Sequence, residues 1–237
     1  MSAGCLHSPP AGATRGVVLL ENTNYMYPVS ADAMPARLTG VAIDEHTILT
    51  AAHLFRYDPE PGHPVMVNGH RVEYSVLSDG WSGHRDPGKE LRPKMTNEIT
   101  LSDFMLLSVD EPVVEFAEYT EFGIEHYDLL SGITLVTNEV ESGIPVAVPL
   151  RRLGFDHFEG LIYATLPQRQ QDKYYLSGSP VVATYPDGSI VFLGIAVANG
   201  VIDNAFAGIN IYQEDVFLIT PLDFLEARRS VSQAESN

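Results

Sequence analysis

The sequence predicts an all-β protein. Short apolar runs recur along the chain with turn residues between them, and long helical periodicity is nearly absent. Asn68-Gly69 also lies between two such runs, and this dipeptide suits the positive φ angles of a tight hairpin turn. Many strands at regular spacing, closed by one short helix, fit a pair of barrels or a sandwich.

Residues 1–14 read as a flexible Pro/Gly/Ala leader. The strands expected in the first half are "RGVVLL", "ARLTGVAI", "HTILTAA", "PVMV", "RVEYSVL" and "FMLLSV". Residues 78–100 are polar and rich in Gly and Pro, which predicts a long surface loop, and loops of that length are often functional. Residues 115–128 are acidic and aromatic, and read as the connection between two halves. The second half offers "GITLVT", "PVAVPLRRL", "GLIYATL", "SPVVATY", "SIVFLGIAVA" and "AFAGINIY", with Pro186-Asp187-Gly188 as a turn. In "TPLDFLEARRS", Thr220 as N-cap and Pro221 at the first helical position predict a closing helix over 220–229, followed by a tail at 230–237.

The chain has 237 residues, 14 of them basic and 31 acidic, for a formal charge of -17. Such a surface repels phosphate backbones and anionic lipid, so neither nucleic acid nor a membrane is expected as a partner. A single cysteine, Cys5, rules out an intrachain disulfide and a Cys-based zinc site. No secretory signal pattern and no window of membrane-spanning length is evident, which predicts a cytoplasmic protein; a mature fragment of a longer precursor is the alternative. His63 and His70 flank the hairpin without a third ligand, so neither a metal nor a cofactor is expected. His84, His126 and His157 read as exposed, and Trp81 as a loop anchor.

Three short stretches carry residues suited to acyl transfer, which needs a hydroxyl, a base, a group orienting the base, and N–H donors for an oxyanion. In "ILTAAHLF" the small Ala51 and Ala52 permit close packing and hold His53 at the rim of a core. It is either a base or a histidine satisfied by a carbonyl. In "TLSDFMLLSVD", Asp103 precedes an apolar run that draws its carboxylate inward toward an imidazole; the alternative is a turn aspartate. In "YYLSGSPVV", Gly178 frees the backbone after Ser177, and Pro180 fixes the exit into Val181-Val182; the alternative is a plain loop.

The order His53, Asp103, Ser177 in these settings resembles the trypsin-like serine peptidase family, in the style of its bacterial glutamyl-endopeptidase and HtrA-type branches. The resemblance extends over about residues 15–229. It implies two six-stranded antiparallel β-barrels, at 15–118 and 119–219, with the site in the cleft between them. It also implies a serine endopeptidase with Ser177 as nucleophile, His53 as base, Asp103 as its orienting acid, and the backbone N–H groups of Tyr175 and Ser177 as the oxyanion hole. Gln171, Ala196, Val197, Ala198 and Asn210, with Gly208 nearby, are the implied substrate-pocket residues, forming a neutral pocket of modest size. The implied partners are a peptide or protein substrate and a regulatory partner or gating loop.

Two positions depart from the family. Tyr175 stands where the family usually has glycine, which restricts the turn that forms an oxyanion hole. Leu176 replaces the aspartate that the animal digestive enzymes pair with a freshly cut N-terminus, so that route of activation is not expected. A catalytically silent peptide-binding scaffold on the same barrels and a small-ester hydrolase are the competing functions.

Overall fold

A computed structural model of the protein describes residues 9–22, 36–55, 64–80, 102–113, 115–120, 124–156, 161–166, 171–200, 205–206, 209–210 and 215–222. Within them lie two curled antiparallel sheets. The first contains β1 (Val17–Asn22), β2 (Ala36–Ala42), β3 (Thr47–Thr50), β4 (Val65–Val67), β5 (His70–Val72), β6 (Tyr74–Asp79) and β7 (Met105–Val109), in the order β5-β4-β1-β2-β3-β7-β6. Asn68 and Gly69 take φ of 50° and 82°, and the hairpin they turn pairs Val65 with Val72 and Val67 with His70. The sheet's two edges, β5 and β6, are separated in the chain by Glu73 alone, so the sheet curls round until its ends meet in one bent strand. Glu73 and Asp110 brace that bend through Glu73 N–H to Asp110 Oδ1 (2.9 Å) and Asp110 N–H to the Glu73 carbonyl (3.1 Å).

The second sheet is built from β8 (Gly132–Asn138), β9 (Pro145–Asp156), β10 (Leu161–Leu166), β11 (Pro180–Thr184) and β12 (Ile190–Gly200). A short separate ladder follows, β13 (Ala205–Phe206) with β14 (Ile209–Asn210), and then β15 (Asp215–Pro221). The order β10-β15-β12-β11-β8-β9 closes on itself through the β9–β10 pair, making a six-stranded barrel. At the Pro186-Asp187-Gly188 turn, Asp187 Oδ1 accepts from the Ser189 hydroxyl (2.7 Å) and N–H (2.9 Å), which holds its carboxyl below the usual carboxylate range.

Burial follows this layout. One apolar cluster fills the first sheet, around Leu20, Ile48, Met105 and Leu107, and another fills the barrel, around Ile133, Leu135, Ile162 and Leu193. A third joins the sheets: Val41, Ile43 and Leu49 meet Val136, Val182, Phe192 and Ile195. The connection runs along this seam, where Ala117 N–H bonds to the Ala42 carbonyl and Thr120 N–H to that of Ile190 (both 2.9 Å); residues 124–129 then form a 3-10 helix. Among the described residues no helix is long and apolar enough to cross a membrane.

Tyr119 lies in the seam with its ring stacked on Phe192 at 5.5 Å, and burial pushes its hydroxyl above the ordinary value of 10.0. The folded state therefore keeps a proton that the unfolded state releases above about pH 10. Stability is unaffected by this group at neutral pH and falls as pH climbs past that value, by on the order of 1 kcal/mol per pH unit. Urea titrations at pH 8 and pH 11 should show a larger alkaline loss for the parent chain than for Tyr119→Phe.

Three sequence expectations change. Thr220 and Pro221 do not start a helix but end β15, where Thr220 pairs with Ile195 and Pro221 with Gly194; Leu222 is not helical either, and residues 223–229 of the expected helix lie outside the described residues. This pairing requires Gly194 (φ 150°), since a Cβ there would fall 1.9 Å from the Thr220 carbonyl oxygen. "DVFLIT", unassigned from the sequence, is the strand between β10 and β12. "AFAGINIY" contains two two-residue strands, not one run. The 78–100 loop falls outside the described residues beyond Gly80.

Candidate active site

His53 and Asp103 are fifty positions apart, and strand register brings them together. β3 pairs with β7 so that Thr50 faces Met105; His53 follows the end of one strand by three residues, and Asp103 precedes the start of the other by two. Ala51 and Ala52 are fully buried and start a 3-10 turn over Ala52–Phe55, anchored by the Phe55 ring against Tyr74 at 5.4 Å. Asp103 is 1% exposed and puts both carboxylate oxygens on the histidine. Oδ1 accepts from the His53 backbone N–H at 3.0 Å, and Oδ2 lies 2.7 Å from Nδ1. A buried carboxylate is an acceptor only, so Nδ1 carries the proton and Nε2 is left with a lone pair. The contrast with His46 is direct, since its Nδ1 meets the Val109 carbonyl at 2.9 Å, the satisfied-histidine alternative.

Ser177 lies half-buried in the loop before β11. The peptides around it are tied. Gly178 N–H donates to the Ala196 carbonyl (2.8 Å), Ala196 N–H to that of Ser179 (2.9 Å), Ser179 N–H to that of Leu176 (3.1 Å), and Thr39 N–H to that of Ser177 itself (3.1 Å). Among the described residues the Ser177 hydroxyl and N–H have no hydrogen-bond partner, so the His53–Ser177 hydrogen bond is not formed. Gly178 nevertheless sets the serine beside the histidine's segment: a Cβ on it would lie 2.2 Å from the Thr39 carbonyl oxygen, 2.6 Å from Thr50 Oγ1 and 3.0 Å from Ala51 N.

Gly178 also has φ of 76°, so Gly178→Ala meets both a left-handed backbone and filled space. Chemical unfolding should show a loss of about 2–5 kcal/mol. Gly188→Ala, with φ of 86° but nothing nearby, should lose only about 1–2 kcal/mol. Equal losses would mean that the close approach at Gly178 is absent.

The Tyr175 peptide is engaged on both sides. Its N–H, assigned by resemblance to an oxyanion hole with that of Ser177, donates instead to the Asn138 carbonyl at 2.9 Å. Its own carbonyl accepts from the hydroxyls of Thr39 (2.7 Å), Thr137 (2.9 Å) and Ser179 (3.1 Å), so the peptide is gripped at both ends. The side chain is held too. Arg37 Nη1 donates to the Tyr175 hydroxyl at 3.2 Å while Nε bonds Glu21 at 2.6 Å, and these bonds raise the guanidinium's pKa. Arg37, Glu21 and Tyr175 border a recess of about 260 Å³.

The substrate-pocket assignments fare unevenly. Ala196 and Val197 are buried, Ala196 among the barrel's core residues and Val197 in the seam, because β12 has packed residues on both faces. The side chains of Gln171, Ala198 and Asn210, and Gly208 itself, lie outside the described residues. The backbone offers something the side chains do not. β11 pairs with β12 only as far as Pro180↔Ile195, whereas β15 follows it to Gly200↔Val216, so from Val197 onward β12 has β15 on one side only among the described residues.

A hollow of about 760 Å³ lies at another place, lined by residues of β1, β4 and β5 and by Val109, Glu111, Pro112, Val113 and Glu115, and includes none of His53, Asp103 and Ser177; its size alone assigns no chemistry. Among the described residues no group of three or more His, Cys, Asp or Glu could hold a metal ion. His70 and His126 are exposed, and His63, Trp81, His84 and His157 lie outside the described residues. Thr39, Thr137 and Asn138, which surround the Tyr175 peptide, were not singled out from the sequence, where they are ordinary residues of alternating strands. No protein-family model matches this chain, and no curated protein is significantly similar to it.

Proposed function

We propose that the chain is a serine endopeptidase of the trypsin-like kind, with Ser177 as nucleophile, His53 as general base and Asp103 as the acid that orients it. The observation that carries this reading is the buried Asp103 carboxylate, whose two oxygens bind the backbone N–H and Nδ1 of a single histidine. That arrangement fixes one tautomer and leaves Nε2 basic. Counting β5 and β6 as one bent strand gives the first sheet six strands, matching the barrel, which supports a two-barrel architecture with the site at its seam.

In this reaction Ser177 Oγ attacks the substrate carbonyl while Nε2 of His53 takes the hydroxyl proton. The imidazolium is stabilised by Asp103 and returns that proton to the leaving amine as the peptide C–N bond breaks. Water then cleaves the acyl-enzyme by the same route in reverse roles. The Ser177 N–H is the oxyanion donor at hand. A second donor from Tyr175 requires its N–H to exchange the Asn138 carbonyl for the substrate oxygen. An extended polypeptide docks as an added strand along β12 from Val197, beside Ser177. Apo sites commonly hold such hydrogen bonds long until substrate tightens them, which accommodates the unformed His53–Ser177 contact.

The engaged Tyr175 N–H favours one second reading, a silent scaffold that binds peptides without cleaving them. Incubation with a fluorogenic polypeptide and with a small activated ester separates the possibilities. Cleavage of the polypeptide supports the endopeptidase, and turnover of the ester alone makes the protein an acyl hydrolase. Peptide binding with no turnover of either overturns catalysis. The protein is proposed to work in the cytoplasm, on peptide or protein substrates, under control of a regulatory partner.

A further inference from the structure

Thr39, on β2 of the first sheet, is fully buried, and its atoms reach both sides of Ser177. Its N–H donates to the Ser177 carbonyl (3.1 Å), and its hydroxyl donates to the Tyr175 carbonyl (2.7 Å). Its carbonyl accepts from Thr50 Oγ1 (2.9 Å) and fills the space a Cβ on Gly178 would need. Thr50 is three residues ahead of His53. We infer that Thr39 is a positioning residue, the tether that fixes the Ser177 loop of the barrel against the His53 segment of the first sheet. The inference rests on the serine peptidase reading of the same site.

The hydroxyl's environment explains why a threonine in this place can set a position. A hydroxyl has one proton and two lone pairs. Thr39 gives the proton to Tyr175 and receives the Asn138 N–H (3.2 Å) and Nδ2 (3.1 Å), so it has one orientation and no freedom to rotate. Asn138 in turn accepts the Tyr175 N–H and is anchored to β1 by Nδ2 donating to the Val18 carbonyl at 3.1 Å. Thr137 and Ser179 complete the cluster, 2.9 Å from each other through their hydroxyls. The hydroxyls of this network are all engaged, while Asn138 Oδ1 is buried without a hydrogen-bond partner among the described residues, so the rigidity it lends the Tyr175 peptide rests on the bonds converging on Thr39.

Thr39→Val keeps the branched shape and removes the hydroxyl, leaving the Asn138 N–H and one Nδ2 hydrogen without their acceptor and Tyr175 with two hydroxyl donors in place of three. Displacement of a reacting group by about an ångström can cost about a hundredfold in rate. In the full-length protein, Thr39→Val should slow inactivation by a fluorophosphonate roughly ten- to a hundredfold. The loss should fall in the maximal rate, with the half-saturating concentration nearly unchanged. Thr39→Ser restores the hydroxyl but not the methyl, and should recover the rate even though its melting temperature is lowered; a merely structural role predicts rates that follow stability. Amide hydrogen exchange over 174–179 should accelerate in the valine variant and not in the serine one.

If the parent protein reacts and Thr39→Val matches it, or Thr39→Ser is as slow as Thr39→Val, the tether is wrong. If the parent does not react at all, the peptidase reading falls. Exchange then decides the tether alone: acceleration confined to Thr39→Val upholds it, and unchanged exchange overturns it.

Discussion

Asp103→Asn should lower kcat on a peptide substrate by about ten-thousandfold while leaving the fold intact. The size follows from counting donors. Asp103 faces two N–H groups of one residue, the His53 backbone N–H at 3.0 Å and Nδ1 at 2.7 Å, with two acceptor oxygens. An asparagine has one oxygen and one NH2, and the backbone N–H cannot change its role. The oxygen stays with it, and the NH2 meets Nδ1, which becomes an acceptor only if the imidazole proton moves to Nε2. A histidine protonated there cannot take a proton from Ser177, so the base is lost through its tautomer and not through its position. Unfolding free energy should change by only about 1–3 kcal/mol, the range for one altered buried hydrogen bond. Comparable kcat values for the two proteins would remove Asp103 from the proposed mechanism.

Ser177→Ala should have the larger effect, about a millionfold in kcat, because nucleophile, base and orienting acid act as a unit and removing the nucleophile forfeits nearly all they do together. Stability should scarcely move. The Ser177 hydroxyl has no hydrogen-bond partner among the described residues, and the loop's ties run through the carbonyl of 177 and the peptides of 175, 178 and 179, which an alanine keeps. Loss of turnover at unchanged stability separates a chemical role from a structural one, and a substantial drop in melting temperature would show that the hydroxyl serves packing instead.

What the sequence displays clearly is local chemistry. Asn68-Gly69 specifies its turn whatever surrounds it, and the hairpin stands where those two residues put it. The same holds for the His53 and Asp103 settings: a strand ending in small residues and a carboxylate ahead of an apolar run place both groups at the same end of a β3–β7 pair. Thr220-Pro221 misleads for a related reason. As a local signal it reads as a helix start, yet pairing with Gly194 and Ile195 decides the matter and the segment is extended. Pro221 is tolerated there as the last residue of its strand.

The Tyr175 peptide shows where sequence stops being informative. Its direction is set by Asn138, Thr137 and Thr39, residues 37 to 136 positions away, none of which carries a motif. Ala196 and Val197 illustrate the same limit, since a strand packed on both faces buries residues that the family resemblance assigns to a pocket wall.

In this mechanism the alcohol at 177 is made nucleophilic by the His53–Asp103 pair. The most direct measurement is mass spectrometry of the protein after exposure to a fluorophosphonate, with the modified residue located by peptide mapping. A single adduct on Ser177, lost on Ser177→Ala and strongly slowed by Asp103→Asn, is the predicted result. No adduct on a correctly folded protein, or modification scattered over other hydroxyls at a rate indifferent to Asp103, would contradict it.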